Sequence, residues 1–196
     1  MKEKFLKKDF FDDCSKDWEA LKPCKYDLIK EKITPLLELK KGEKVLDACC
    51  GTGILTPVLK EFRVLIAGID YSQKMIDKAR ELHGKDAEFI AGNIENIPFE
   101  SEAFDKAICH NALPHIEDKE KAFKECGRVL KKGGILLISH DLNKKEVDDF
   151  HKKCHKAVCE DMIPSNKEIT LLAGGAGFES IEIFDEEKYF AAVCRK

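Results

Sequence analysis

The apolar positions of this chain fall into two alternating kinds of segment. Short apolar-rich runs at 44–48, 64–69, 87–91, 106–110 and 134–140 predict strands. A strand with one wet face would alternate, so the unbroken run Val64–Ile69 predicts a strand buried on both faces. Between them, apolar residues recur at helical spacing. Tyr26, Ile29, Ile33, Leu36 and Leu37 predict a helix leading into Lys40-Lys41-Gly42, and Leu55, Val58 and Leu59 predict another. Met75, Ile76 and Ala79 mark a helix that Ser72 can cap, and a further helix is expected near 118–127. From Lys144 to about Met162 the pattern again reads as helix, as does 167–173 before Gly174-Gly175. The chain then gives two apolar runs, 178–184 and 188–194, around Asp185-Glu186-Glu187. Strands joined so closely must be antiparallel.

Regular strand–helix alternation predicts an α/β fold with a mostly parallel sheet. Within it, the run Val45-Leu46-Asp47-Ala48-Cys49-Cys50-Gly51-Thr52-Gly53 breaks from a strand into a small-residue turn. The next strand ends in a second acid, Asp70. This is the layout of a doubly wound nucleotide-binding unit, in which a tight turn admits a ligand and a carboxylate holds ribose hydroxyls. A dinucleotide fingerprint wants three glycines, but here the first position is Cys49. S-adenosylmethionine has no pyrophosphate to cradle and fits this variant.

Four stretches in order carry a resemblance: VLDACCGTG at 45–53, GIDYSQKMIDKAR at 68–80, AGNIENIPF at 91–99, and FDKAICHNALPHI at 104–116 with RVLKKGGILLISH at 128–140. Over roughly residues 35–196 the chain resembles the class I S-adenosylmethionine-dependent methyltransferases. The resemblance implies a Rossmann-like seven-stranded sheet, mostly parallel, with an antiparallel C-terminal hairpin strand. It also implies one domain over 1–196, with 1–34 as an N-terminal helical lid and 35–196 as the cofactor-binding core.

The resemblance places S-adenosylmethionine against Asp47, Cys49, Gly51, Thr52, Gly53, Asp70, Tyr71, Met75, Asn93, Ile94 and His110. Asp47 suits the cationic amino end of the methionine moiety, and Thr52 its carboxylate. Gly51 and Gly53 let backbone pass close to the ligand. Asp70 can accept both ribose hydroxyls. Tyr71 and Met75 flank the adenine, although Met75 also reads as helix core. Asn93 stands where relatives usually carry Asp for the adenine amino group, and Ile94 offers its N–H. Cys49 in place of glycine implies that the first strand ends with a backbone an L-residue adopts readily. Phe10, Phe11 and Trp18 are candidates for a lid that excludes water, or for docking the lead segment onto the core.

Composition narrows the partners. At 196 residues, 43% hydrophobic and 36% charged, the chain suits one globular domain. A net charge of −3 gives no global attraction to nucleic acid or an anionic membrane. No run approaches the ~20 apolar residues of a membrane span, and the N-terminus lacks the apolar stretch of a signal peptide. Nine cysteines, an odd number without a CxxC pair, argue for a reducing cytoplasm rather than a disulfide framework. A monomer or homodimer acting on a small-molecule methyl acceptor is expected, with S-adenosylhomocysteine as product.

Most histidines gather at the substrate end. His110 and His115 follow the fourth strand and His140 ends the fifth, while His151, Cys154, His155 and Cys159 share one face of the helix expected over 144–162. Three readings stay open: packing, a general base with His115 and His140 as candidates, and a metal or metalloid site. Asn111-Ala112-Leu113-Pro114 lacks the adjacent prolines and aromatic of the N/D-P-P-Y/F motif found in relatives that methylate amino groups on nucleic acids or proteins, which argues against an adenine- or glutamine-N-methyltransferase. Two other functions compete: a non-catalytic S-adenosylmethionine- or metal-binding protein, and an NAD-dependent oxidoreductase.

Overall fold

A computed structural model describes residues 7–16 and 25–196. Helix α1 (Lys7–Cys14) stands first, and the expectation for Trp18 lies outside the described residues. Next comes a helical run, α2 (Tyr26–Leu28), that widens into a π turn (Ile29–Ile33) and tightens into a 3-10 turn (Thr34–Leu37). Then follow β1 (Lys44–Ala48), α3 (Thr56–Leu59) with a 3-10 extension (Lys60–Phe62), β2 (Leu65–Asp70), α4 (Gln73–His83) and β3 (Ala87–Ala91). After them come β4 (Phe104–His110), α5 (Lys119–Val129), β5 (Leu130–His140), α6 (Lys144–His151), α7 (Asn166–Gly175), β6 (Ser180–Glu186) and β7 (Tyr189–Arg195).

The strands form one seven-stranded sheet in the order β3-β2-β1-β4-β5-β7-β6. The first five run parallel, and β7 lies antiparallel between β5 and β6. This is the α/β architecture expected. The inner strands β1, β2, β4, β5 and β7 are buried on both faces because separate apolar layers cover each side, whereas the edge strands β3 and β6 are only partly buried. Leu46, Ala107, Leu136 and Ala192 point into one layer with Phe123 and Phe178. Val45, Ile108, Leu137 and Val193 point into the other with Ile29, Ile33 and Leu37. Neighbouring residues in sequence thus serve opposite layers.

Gly68 in β2 is a packing requirement. A Cβ there would lie 2.6 Å from the Phe89 ring and 2.9 Å from the Cys50 sulfur. At the hairpin, Glu186 pairs with Tyr189, so the turn is Glu187-Lys188, one step beyond the sequence expectation.

The helix expected from Lys144 to about Met162 stops at His151. Its end is folded back by polar ties that periodicity does not register. Ile163 N–H donates to Asp148 Oδ1 at 3.0 Å, and His151 Nδ1 lies 2.5 Å from the Asp161 carbonyl oxygen. His151, Cys154, His155 and Cys159 therefore do not share one helical face. Among the described residues, no helix is long and apolar enough to cross a membrane.

Candidate functional site

The strand order reverses at β1, whose neighbours are β2 and β4. Open α/β sheets bind ligands beyond the strand carboxyl ends at such a point. A cavity of roughly 260 Å³ lies there. Its walls include Asp47, Cys49, Gly51, Asp70, Tyr71, Met75, Asn93, Ile94, His110 and His115, ten of the residues anticipated from sequence. Thr52, Gly53 and His140 are absent from the lining.

Each exclusion has a physical reason. Thr52 is 1% exposed beneath the turn. Gly53 has φ +80°, and a Cβ on it would meet Phe89 at 2.9 Å and His83 at 3.1 Å, so its smallness serves packing rather than ligand approach. His140 is 2% exposed and packs with Phe190 at a ring separation of 6.3 Å. Its strand position pairs with Phe190 of β7, within the sheet rather than at the cavity.

The turn after β1 carries a further correction. Cys49 has φ +65°, the left-handed region that a glycine would occupy without strain. The backbone demand of the turn persists although the glycine does not. The thiol hydrogen-bonds with Cys109, and that bond, followed by burial, pushes its pKa well up. Burial does the same for Cys50. Neither is a ready thiolate.

Asp70 organises the turn as well as facing the cavity. Its Oδ2 accepts from Gly51 N–H and its Oδ1 from Ser72 N–H, both at 2.9 Å. Burial lifts its pKa to about 6 against those two backbone donors, and Asp12 of α1 adds repulsion. Ser72 caps α4 by accepting from Met75 N–H at 3.1 Å, and its hydroxyl donates to Asp12. Asp47 is more extreme. It is 1% exposed, and its Oδ2 has no hydrogen-bond partner among the described residues. Burial, then the charge of Asp70, raises its pKa to about 8. A buried carboxyl in that state suits a cationic ligand group, which would restore its charge.

On the adenine side, Asn93 Oδ1 accepts from Glu95 N–H at 2.9 Å, which closes a turn. The second lone pair of that oxygen is directed by the same turn. Met75 is both core and wall at 2% exposure.

At the end of β4, Asn111 has φ +56° and its N–H donates to the Ser139 carbonyl at 2.7 Å. Its Oδ1 accepts from Asp141 N–H, which turns Nδ2 toward His110 Nε2 at 2.9 Å. That nitrogen must accept, so Nδ1 carries the proton and donates to Ser139 Oγ at 2.9 Å. His110 is thereby fixed in the wall between Ser139 and Asn111.

His115 is differently placed. Its Nδ1 lies 2.8 Å from Asp161 Oδ2, while Lys7 Nζ donates to Asp161 Oδ1 at 2.6 Å. Burial alone would raise the Asp161 carboxyl, but the bonds from His115 and Lys7 outweigh it and hold the pKa below the usual range. Asp161, Lys7 and Asp12 were not anticipated from sequence. Asp161 lay inside a stretch read as helix, and a lone Lys or Asp in a charged leader gives no signal.

Helix α1 spans the cavity mouth. Lys7, Lys8 and Phe11 line it, and the Phe11 ring meets His115 at 5.1 Å and Tyr71 at 6.2 Å. Phe10 instead stacks on His155 at 5.4 Å. The Cys154 and Cys159 thiols approach local carbonyls of Phe150 and Lys156. Among the described residues, no group of three His, Cys, Asp or Glu side chains is placed to hold a metal ion.

A doubly wound sheet with β7 inserted antiparallel, and acids at the tips of β1 and β2 facing one cavity, is the architecture of the class I methyltransferase fold. Comparison with known proteins agrees. Residues 46–138 match a family model described as a methyltransferase domain. A ubiquinone/menaquinone biosynthesis C-methyltransferase from Campylobacter jejuni is 32% identical over 136 residues, covering 66% of this chain and 57% of the relative. A ubiquinone biosynthesis O-methyltransferase from Coxiella burnetii is 28% identical over 142 residues, covering 66% and 58%. The chain thus spans a little over half the length of these relatives. An S-adenosylmethionine-dependent methyltransferase structure from Aquifex aeolicus superposes with a TM-score of 0.71 at 20% identity, over 92% of this chain and 97% of that one. Residues 46–138 are thus similar to a methyltransferase domain, and the chain shares its fold with the S-adenosylmethionine-dependent methyltransferase from Aquifex aeolicus.

Proposed function

We propose that this chain transfers the methyl group of S-adenosylmethionine to a small-molecule acceptor through an acidic O–H or C–H site. The observation that carries the cofactor reading is the buried, unpartnered Asp47 Oδ2 beside Asp70 at the switch point. Asp47 takes the ammonium end of the methionine moiety, and Asp70 takes the ribose hydroxyls while holding the turn through Gly51. Tyr71 and Met75 flank the adenine, with Asn93 and Ile94 at its edge. Cys49 and Gly51 present backbone, and His110 closes the wall. When bound, the cofactor supplies a methyl carbon on a sulfonium, which departs as a neutral thioether.

The chain's own contribution is positioning and proton removal. His115 lines the same cavity with Nδ1 committed to Asp161, so Nε2 is the atom that takes the acceptor's proton. The acceptor's electron pair forms the new bond to the methyl carbon as the carbon–sulfur bond breaks toward sulfur. Phe11 and Tyr71 supply an apolar rim suited to a flat ring. Similarity to C- and O-methyltransferases of ubiquinone and menaquinone biosynthesis supports an acceptor related to quinones.

Isothermal titration with S-adenosylmethionine, S-adenosylhomocysteine and NAD tests the cofactor. Micromolar binding of the first two alone is expected, and preference for NAD would overturn the reading. Reduced quinones and simple phenols then form the acceptor screen.

A further inference from the structure

The contacts of Asp161 go beyond the pocket walls. This residue sits between α6 and α7 and touches two elements distant in sequence. One oxygen meets His115, from the 3-10 turn after β4, and the other meets Lys7, from α1. Lys7 Nζ also reaches the His115 carbonyl oxygen at 3.5 Å. The Asp161 carbonyl is tied to His151, whose ring lies 4.8 Å from that of His115. At 11% side-chain exposure for Asp161 and 16% for His115, the pair is shielded but reachable.

We propose that Asp161 is the positioning residue for His115, and that Lys7 completes the arrangement only when α1 is seated across the cavity. The inference rests on the methyl-transfer reading for its purpose, though not for its test. A histidine base needs one ring nitrogen protonated and the other available as acceptor, and an anion on Nδ1 fixes that choice. Without it, neutral histidine favours the opposite tautomer, with its proton on Nε2, where it cannot accept one. Asp161 therefore orients the ring and selects the tautomer. Lys7 neutralises the second oxygen and holds the carboxylate in place. Asp12 anchors the other end of α1 on Ser72, beside Asp70. The helix that excludes water from the cavity thus also finishes the base, so proton removal and closure occur together. Charged and titratable groups facing the pair are Lys7 from α1, His151 from α6, and Lys119 at the start of α5, whose charge acts on Asp161.

Nitrogen-15 spectra of the His115 ring, recorded with S-adenosylhomocysteine present, test this. In the unsubstituted protein the proton should reside on Nδ1 at neutral pH. Asp161→Ala should move most of it to Nε2, and Asp161→Asn should do the same, because Lys7 takes the amide oxygen and leaves the amide N–H facing Nδ1. A carbon-13 titration of Asp161 should show its midpoint rising in Lys7→Met. An Nε2–H ring in the unsubstituted protein, or an unchanged spectrum in Asp161→Ala, would overturn the positioning role. An unmoved Asp161 midpoint in Lys7→Met would overturn the role of α1. Failure of S-adenosylhomocysteine to bind would sink the functional reading and leave the tautomer result standing.

Discussion

Cofactor affinity should be strongly pH-dependent, and Asp47 sets the sign. Burial and the neighbouring Asp70 place its pKa at about 8 in the free protein. At pH 7 only about one molecule in ten then carries the carboxylate, and at pH 6 about one in a hundred. A ligand ammonium binds the ionised form, so binding expels a proton. Observed affinity should rise about tenfold per pH unit between pH 6 and 8, about 1.4 kcal/mol per unit, and level off above. Calorimetry with S-adenosylhomocysteine in buffers of different ionisation enthalpy reads both affinity and proton count. Asp47→Asn should bind weakly with the slope removed. The free protein should show the opposite trend. A carboxyl whose folded pKa is raised contributes stability below its unfolded pKa and loses it as pH climbs through the folded one, so Tm should fall from pH 4 to 8. An affinity flat from pH 6 to 8, or an equal slope in Asp47→Asn, would refute the reasoning.

Asp70→Ala should cost about 1.5–3 kcal/mol of cofactor binding by calorimetry, the scale of a hydrogen bond to a charged group, and loosen the turn at Gly51. Gly68→Ala should destabilise the fold by about 1–3 kcal/mol in urea unfolding, because the new Cβ meets Phe89 and Cys50. His115→Ala should lower turnover while leaving cofactor affinity intact, whereas His140→Ala should lower Tm first, given its burial against Phe190. Ser165→Ala removes one half of the capping box of α7 and should cost about 1 kcal/mol, with no change in cofactor affinity.

Most of the sheet was legible because its signal is local. Short apolar-rich runs marked β1 to β5, and the short connection between the last two strands forced them antiparallel. The carboxylates Asp47 and Asp70 were legible for the same reason, since each ends a strand whose position the pattern fixes. Side-chain roles that depend on which way a strand end turns were not. Gly53 reads as a ligand-facing glycine until Phe89 is seen beneath it, and Cys49 reads as backbone freedom until its φ proves positive. His140 and His115 look equivalent in the chain, yet β7 pairs across one and the cavity meets the other.

What the sequence determined alone was the order of strands and helices along the chain, because hydrophobic periodicity and turn chemistry act over a few residues. Only the tertiary structure brought His115 against Asp161 and Lys7. Asp161, His115 and Lys7 lie far apart along the chain, and α6 stops at His151 through contacts with Asp161 and Ile163 that no periodicity encodes. Such pairings are made by the packing of the whole chain, and local propensity carries no record of them.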